Sequence, residues 1–408
     1  MCSTSALSNL LHLSQAAIFE PAEEVSPVPG VAPCGYDPKA LQRVFGAQPE
    51  RALVSATEPK KNSLGIQDAL MPGGKRIRLL KTLLTSACER NCFYCPFRAG
   101  RDFRRATLKP HEMAQVFAEL HRRRLVEGIF LSSGIVNGGV NTQDKLIDTV
   151  AILRQKHRFG GYVHLKLMPG CERDQVLAAM SVADRVSINL EAPSAPRLAQ
   201  IAPRKVFEGE LWQVLRWAAE IRRTQLPPPG RRWASLVTQF IVGAAGESDL
   251  EILGTTDRAL REFRLSRVYF SAFHPVNDTP LEGKPAESAW REHRLYQASF
   301  LLRDYGFRAD ELPFDANGRL PLNEDPKLAW GKRHLSDSPV EVNRADRELL
   351  LRVPGIGLKG AEAILAARRQ RTLREPSQLA ALGVNIHRAL PFVLLDGHRP
   401  EQQLALPM

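Results

Sequence analysis

Three thiols fall within eight residues at Cys88-Glu89-Arg90-Asn91-Cys92-Phe93-Tyr94-Cys95, just after an apolar run and directly before Pro96. A cubane iron-sulfur cluster offers four irons, each taking one outside ligand, and four cysteines are the usual supply. A local supply of three leaves one iron open. An open iron can hold a chelating small molecule as well as store an electron. Zinc is the other reading. Structural zinc takes four ligands in paired spacings, but no second cysteine pair follows, and the next histidine downstream, His111, falls in a predicted helix.

The elements around this loop decide what the thiols face. Met71-Pro72-Gly73-Gly74 is a turn signal, and Arg76 to Leu84 then reads as a buried strand ending just before Cys88. Met113, Val116, Phe117 and Leu120 recur with helical spacing behind Pro110. A second strand covers Gly128 to Leu131 and empties into Ser132-Ser133-Gly134. Leu146, Ile147, Val150 and Leu153 mark a helix that begins near a capping candidate, Thr142. Tyr162 to Leu167 is the third strand and Arg185 to Glu191 the fourth. Strict alternation in the fourth puts Val186, Ile188 and Leu190 on one face and Ser187, Asn189 and Glu191 on the other. A helix through Leu211 to Ile221 ends at Pro227-Pro228-Pro229-Gly230. Strands from Ser235 to Val242 and Arg267 to Phe273 follow, with a helical interval between them.

Six strands alternating with helices imply an α/β fold with parallel pairing and right-handed crossovers, a partial (β/α)6 TIM-like barrel, with an open doubly wound sheet as the fallback. In such barrels the loops at the C-terminal strand ends carry the chemistry. The cysteine loop, Ser132 to Gly134 and Glu191 all belong to that end. Asn189 and Glu191 have the groups that pair with the vicinal diol of a ribose, though a satisfied polar barrel interior would place them there too. Lys166 shares a face with His164 and is either an anion partner or a rim lysine extending its stem.

The chain divides into an irregular segment over 1–70, a barrel domain over 71–312, a proline-punctuated connector over 313–338 and a small helical module over 339–400. In the module, a helix from Asn343 to Arg352, with Asn343 as its cap, is broken by Val353-Pro354-Gly355-Ile356-Gly357 and resumes over Leu358 to Arg369. The amides around Gly355 and Gly357 open the second helix, where an anion is favoured.

Composition sets the class. A chain of 408 residues, 44% hydrophobic, can bury a sizeable core. No apolar run is long enough to span a membrane and no secretory start is visible, which implies a cytoplasmic protein without a membrane partner. Cys2, Cys34 and Cys171 are scattered singletons and make no disulfide framework. The formal charge of +12 and pI near 9.6 point to a polyanion. The arginine clusters Arg104-Arg105, Arg122 to Arg124, Arg222-Arg223, Arg231-Arg232 and Arg368-Arg369 could equally be solvated faces.

The Cys-x3-Cys-x2-Cys spacing with an aromatic before the last cysteine resembles the signature of the radical S-adenosylmethionine (SAM) superfamily. The resemblance implies that Cys88, Cys92 and Cys95 hold a 4Fe-4S cluster whose fourth iron binds SAM, that reduction yields a 5'-deoxyadenosyl radical, and that a donor such as flavodoxin or ferredoxin supplies the electron. It implies cofactor contacts from Tyr94 beside the adenine, from Ser132, Ser133 and Gly134 where the superfamily commonly has Gly-Gly-Glu, from Lys166 toward the methionyl carboxylate, and from Asn189, Glu191 and Gln239. The run Val353 to Ala361 is similar to a helix-hairpin-helix. Through it Pro354, Gly355, Ile356, Gly357 and Lys359 are expected to grip nucleic-acid phosphates. A second half, Leu379 to Ile386, keeps only a leucine-glycine turn. Taken with Leu131 to Gly134, His164 to Gly170 and Gln239 to Asp249, the chain resembles radical SAM proteins described as acting in DNA modification or repair. DNA is thus expected ahead of transfer or ribosomal RNA, and a non-catalytic iron-sulfur nucleic-acid binder is the reading from another class.

Overall fold

The computed structural model describes residues 6, 9, 10, 12–14, 66–70 and 75–400. Most of the 1–70 segment, the turn expected at Met71 to Gly74, and Cys2 and Cys34 lie outside these residues. The described residues form two compact units. One holds those up to 247 together with 258–289, and the other holds 248–257 and 290–400.

The first unit is built on a seven-stranded sheet, β1 (Ile66–Leu70), β2 (Arg76–Leu83), β3 (Gly128–Ser132), β4 (Tyr162–Lys166), β5 (Arg185–Ser187), β6 (Ser235–Val242) and β7 (Arg267–Ala272). The strands lie in that order, with β1 and β7 at the edges. Strands β2 to β7 pair in parallel, as the alternation with helices predicts, and the result is a partial barrel. Strand β1 adds antiparallel to β2, with Ile66 opposite Leu80. The proline-rich text of residues 1–70 gave no strand signal there.

Helices Pro110–Arg122, Gly138–Gln155, Arg173–Val182, Gln213–Thr224 and Asp249–Phe263 occupy the crossovers. Leu80, Ile129, Val163, Leu165, Val186 and Leu236 are fully buried on one face of the sheet. The other face carries a polar row. Lys81, Phe130, His164 and Arg185 are register neighbours, the His164 ring meets Phe130 edge-on at 4.6 Å, and His164 Nε2 lies 2.9 Å from Ser187 Oγ.

Two local expectations are corrected. The helix predicted near Thr142 starts a turn earlier, at Gly138, and the Thr142 hydroxyl instead donates to Gly138 O at 2.9 Å. The strand predicted over Arg185 to Glu191 leaves the sheet after Ser187. The Thr238 hydroxyl bridges the gap, donating to Ile188 O and accepting from Leu190 N. Pairing resumes at Glu191, which sits beside Phe240. Glu191 has φ +66°, a left-handed conformation costly for a side chain of this size.

In the second unit, a helix, Pro326–His334, falls within the segment read as connector. The module that follows has helices Arg347–Arg352, Leu358–Ala367, Pro376–Ala381 and Ile386–Ala389, and a short parallel pair, β8 (Val340–Glu341) with β9 (Val393–Leu394). The first module helix is capped by Asp346, whose carboxylate accepts from Leu349 N at 2.7 Å. Asn343 does not cap it. Its amide instead exchanges two hydrogen bonds with the backbone of Leu373. Gly355 has φ +87°, and a Cβ there would stand 2.4 Å from Asn385 O. The Gly355 carbonyl accepts from Asn385 N at 3.0 Å, which ties the two halves of the module together.

Candidate active site around the cysteine loop

The loop after β2 is fixed by its own backbone contacts. Gly134 N donates to Thr85 O and Glu89 N to Ile135 O, so the turn after β3 runs against the start of the cysteine loop. A Cβ on Gly134 would lie 2.0 Å from Ala87 O, so only glycine permits this approach. Arg105 binds the loop from the other side. Its guanidinium donates to the carbonyls of Ser86, Phe97, Arg98 and Arg101 at 2.9 to 3.3 Å and lies 4.3 Å from the Phe103 ring.

A third clamp comes from the segment after helix Ala195–Ile201. Phe93 N donates to Ile201 O, and Arg204 Nη1 donates to Glu89 O. Arg90 pairs with Glu210 at 2.7 Å and also donates to the Arg204 carbonyl. Lys205 then projects inward. Its Nζ lies 2.8 Å from Glu191 Oε1 and 3.4 Å from the Tyr94 hydroxyl. Sequence reading missed Lys205: a single lysine after Pro203-Arg204 has no periodicity or motif to mark it.

Electrostatics follow from burial. Burial raises the Cys92 thiol, with Lys205 pulling it back and Glu191 and Cys88 adding to the rise. Burial, then Cys92, pushes the Cys95 thiol well up, against an amide bond from Phe97 and the Lys205 charge. Burial, and next Glu191, raises the Tyr94 phenol well above its usual range. Burial alone would lower Lys205, but Glu191 and the thiols outweigh it and keep the ammonium charged. Among the described residues, no three His, Cys, Asp or Glu side chains converge to hold a single metal ion. A cubane needs no such convergence, because each thiolate binds its own iron.

The predicted cofactor residues gather at the same strand ends. Ser132 is buried at the end of β3, and the Ser133 hydroxyl donates to Gly134 O at 2.7 Å. Lys166 Nζ donates to Asn189 Oδ1 at 2.6 Å, which joins two of them. Gln239 is buried on β6, and its carbonyl accepts from Glu191 N. Glu191 Oε2 and Asn91 Oδ1 are buried with no hydrogen-bond partner among the described residues. Buried polar atoms are normally paired. Two acceptors left open beside a three-thiol loop fit a bound group that brings donors, such as a ribose and an amine.

The arginine clusters are partly committed elsewhere. Arg105 holds the cysteine loop. Arg231 donates to the carbonyls of Ser181, Val182 and Ala183 and pairs with Asp184. Arg222 donates to the Phe263 and Arg264 carbonyls, and Arg368 to those of Val342 and Ala345. In each pair the sequence neighbour, Arg104, Arg232, Arg223 or Arg369, is exposed.

In the helical module, Pro354 is buried against Gly331, and Ile356 is buried while its carbonyl accepts from Lys327 Nζ at 2.6 Å. Gly357 starts helix Leu358–Ala367 with no side-chain cap, and Lys359 is exposed one residue into it.

Residues 82–259 match the family model described as the Radical SAM superfamily. Among solved structures, methylornithine synthase aligns with a TM-score of 0.45 at 15% identity, covering 71% of this chain and 76% of that one. The FeFe-hydrogenase maturase from Carboxydothermus hydrogenoformans aligns at 0.44 and 15%, covering 55% and 51%, so the match spans about half of that maturase. A radical SAM methyltransferase from Sphaerobacter thermophilus aligns at 0.42 and 17%, covering 58% and 70%. No curated protein matches the sequence. Among the described residues, no helix is long and apolar enough to cross a membrane.

Proposed function

We propose that the chain, whose residues 82–259 match the Radical SAM superfamily model, is an enzyme that cleaves SAM reductively at a 4Fe-4S cluster and acts on a nucleic acid, with DNA as the first candidate. Enzymes of this superfamily use that cluster and SAM, and they need an electron donor. A flavodoxin or ferredoxin is the donor class proposed here.

Cys88, Cys92 and Cys95 would hold the cluster, since they share a loop that Gly134, Arg105 and Arg204 fix in place. Tyr94, Ser132, Ser133, Gly134, Lys166, Asn189, Glu191 and Gln239 would hold SAM, with the open Glu191 Oε2 suited to a ribose hydroxyl. When bound, the pair supplies a 5'-deoxyadenosyl radical able to take a hydrogen atom from a nucleotide. The buried strand ends around Glu191 would keep water from that radical. A base within a duplex would have to be extruded, which favours flipped, damaged or single-stranded positions.

The nucleic-acid part is carried by one observation: the uncapped start of helix Leu358–Ala367 at Gly357, with Lys359 exposed beside it. Open amides and a lysine form the electrostatic and geometric match to a phosphate, read without base specificity. A helix-hairpin-helix role for Pro354 to Lys359 belongs to this proposal. Arg368, tied to two carbonyls, is not part of it.

Two measurements test the proposal. Reduced, reconstituted protein should release 5'-deoxyadenosine from SAM, and Cys92→Ala should release none. Without a difference between them, the chain is a non-catalytic iron-sulfur binder. Competition binding at matched salt should favour DNA over structured RNA, and Lys359→Glu should weaken binding by roughly tenfold. Stronger RNA binding would replace DNA with RNA as the substrate.

A further inference from the structure

Lys205 is a buried cation for which the sequence provides no motif. Its side chain is 10% exposed and that of Glu191 6%. An ammonium held so deep loses roughly several kcal/mol of hydration, which a countercharge fixed beside it offsets. Glu191 supplies one, from a left-handed backbone position whose N–H and C=O pair with Gln239 and Ile241. The second contact of Lys205, the Tyr94 hydroxyl, lies in the cysteine loop between Cys92 and Cys95. The segment bearing Lys205 is itself fixed to that loop through Arg204 with Glu89 and Arg90 with Glu210. The charge therefore cannot move away when the charge of the loop changes.

Three thiolates leave a cluster with a net negative charge, and reduction adds another electron to it. Cluster potentials respond to net charge and to nearby fixed charges, and a cation in a low-dielectric site acts more strongly than one in water. We propose that Lys205 is a positioning residue that raises the reduction potential of the cluster held by Cys88, Cys92 and Cys95, by keeping a fixed positive charge beside their loop. Glu191, paired with the ammonium at 2.8 Å, opposes it and sets the balance. The inference rests on the cluster assignment in the proposed function.

The test uses the full chain, reconstituted anaerobically with iron and sulfide and without SAM. The readouts are iron and sulfide per chain and the midpoint potential by EPR-monitored titration. Lys205→Gln should shift the reduction equilibrium toward the oxidised cluster by roughly tenfold, about 59 mV for one electron. Lys205→Arg should hold it near wild type. Glu191→Gln should move it the opposite way, toward the reduced cluster. Opposite shifts are the signature, because simple loosening of the loop would move both variants alike. A Lys205→Gln protein with full iron content and an unmoved potential overturns the inference. Where that variant loses its cluster, Glu191→Gln decides, and an unmoved or more negative potential there overturns it. A wild-type chain that binds no cluster overturns the proposed function as well, and iron analysis alone recognises that case.

Discussion

Gly134 and Ala87 meet backbone to backbone: a Cβ on Gly134 would stand 2.0 Å from the Ala87 carbonyl oxygen and 3.2 Å from Cys88 Cβ. The turn after β3 and the cysteine loop therefore set each other's position. Gly134→Ala is expected to destabilise the apo protein by about 1–3 kcal/mol, the usual cost of forcing a methyl into packed backbone. It should also lower iron per chain after reconstitution. Urea unfolding and iron analysis on the same preparation check both.

Arg105→Lys tests whether the loop needs a fork or only a charge. The guanidinium reaches four carbonyls at once, which an ammonium on a flexible stem cannot do. Hydrogen bonds to a charged group contribute about 1.5–3 kcal/mol each when buried, and Arg105 is half-buried. A loss of about 2 kcal/mol is expected, with faster trypsin cleavage within residues 86–105. An unchanged unfolding midpoint would show that the clamp is dispensable.

Gly355→Ala addresses the second unit. The position combines φ +87° with a backbone oxygen 2.4 Å from any Cβ. Left-handed strain and the close contact together should cost about 2–4 kcal/mol. Thermal unfolding followed by circular dichroism measures it, and an alanine variant as stable as wild type would contradict the packing described for Asn385.

His293 gives the second unit a pH dependence. Burial, reinforced by Arg294 and opposed by Asp325, holds its pKa down to about 4 from an ordinary 6.5. The fold favours the neutral ring, so its contribution is complete above about pH 6.5 and is lost as the pH falls toward 4. The depression corresponds to about 3 kcal/mol. Urea midpoints of the apo protein should fall between pH 7 and pH 4, and His293→Gln should flatten that fall. Parallel profiles would remove His293 as the cause.

The barrel was legible because its signals are local. Alternation over Arg185 to Glu191, the apolar run in β2 and the cysteine spacing each report on adjacent residues. Val186, Ile188 and Leu190 are buried as their period predicts, even though the strand breaks between them. What escaped reading depends on distant backbone. Lys205 matters only because residues 201–210 dock on the cysteine loop, and Glu191 turns left-handed only because Gln239 and Ile241 pair with it. Caps failed for a related reason. Asn343 and Asp346 are both competent, and the choice went to Asp346 because Leu373 takes both ends of the Asn343 amide.

The arginines that end on carbonyls, Arg105, Arg222 and Arg368, have a kinetic consequence. A guanidinium bound to neutral oxygens keeps its full charge, so it still contributes to the field that draws a polyanion inward over about 8–10 Å at physiological ionic strength. It has few donors left with which to grip a phosphate, and counterion release counts only such contacts. The chain should meet a charged polymer faster than it can hold one. Added salt should then slow arrival more than it hastens departure.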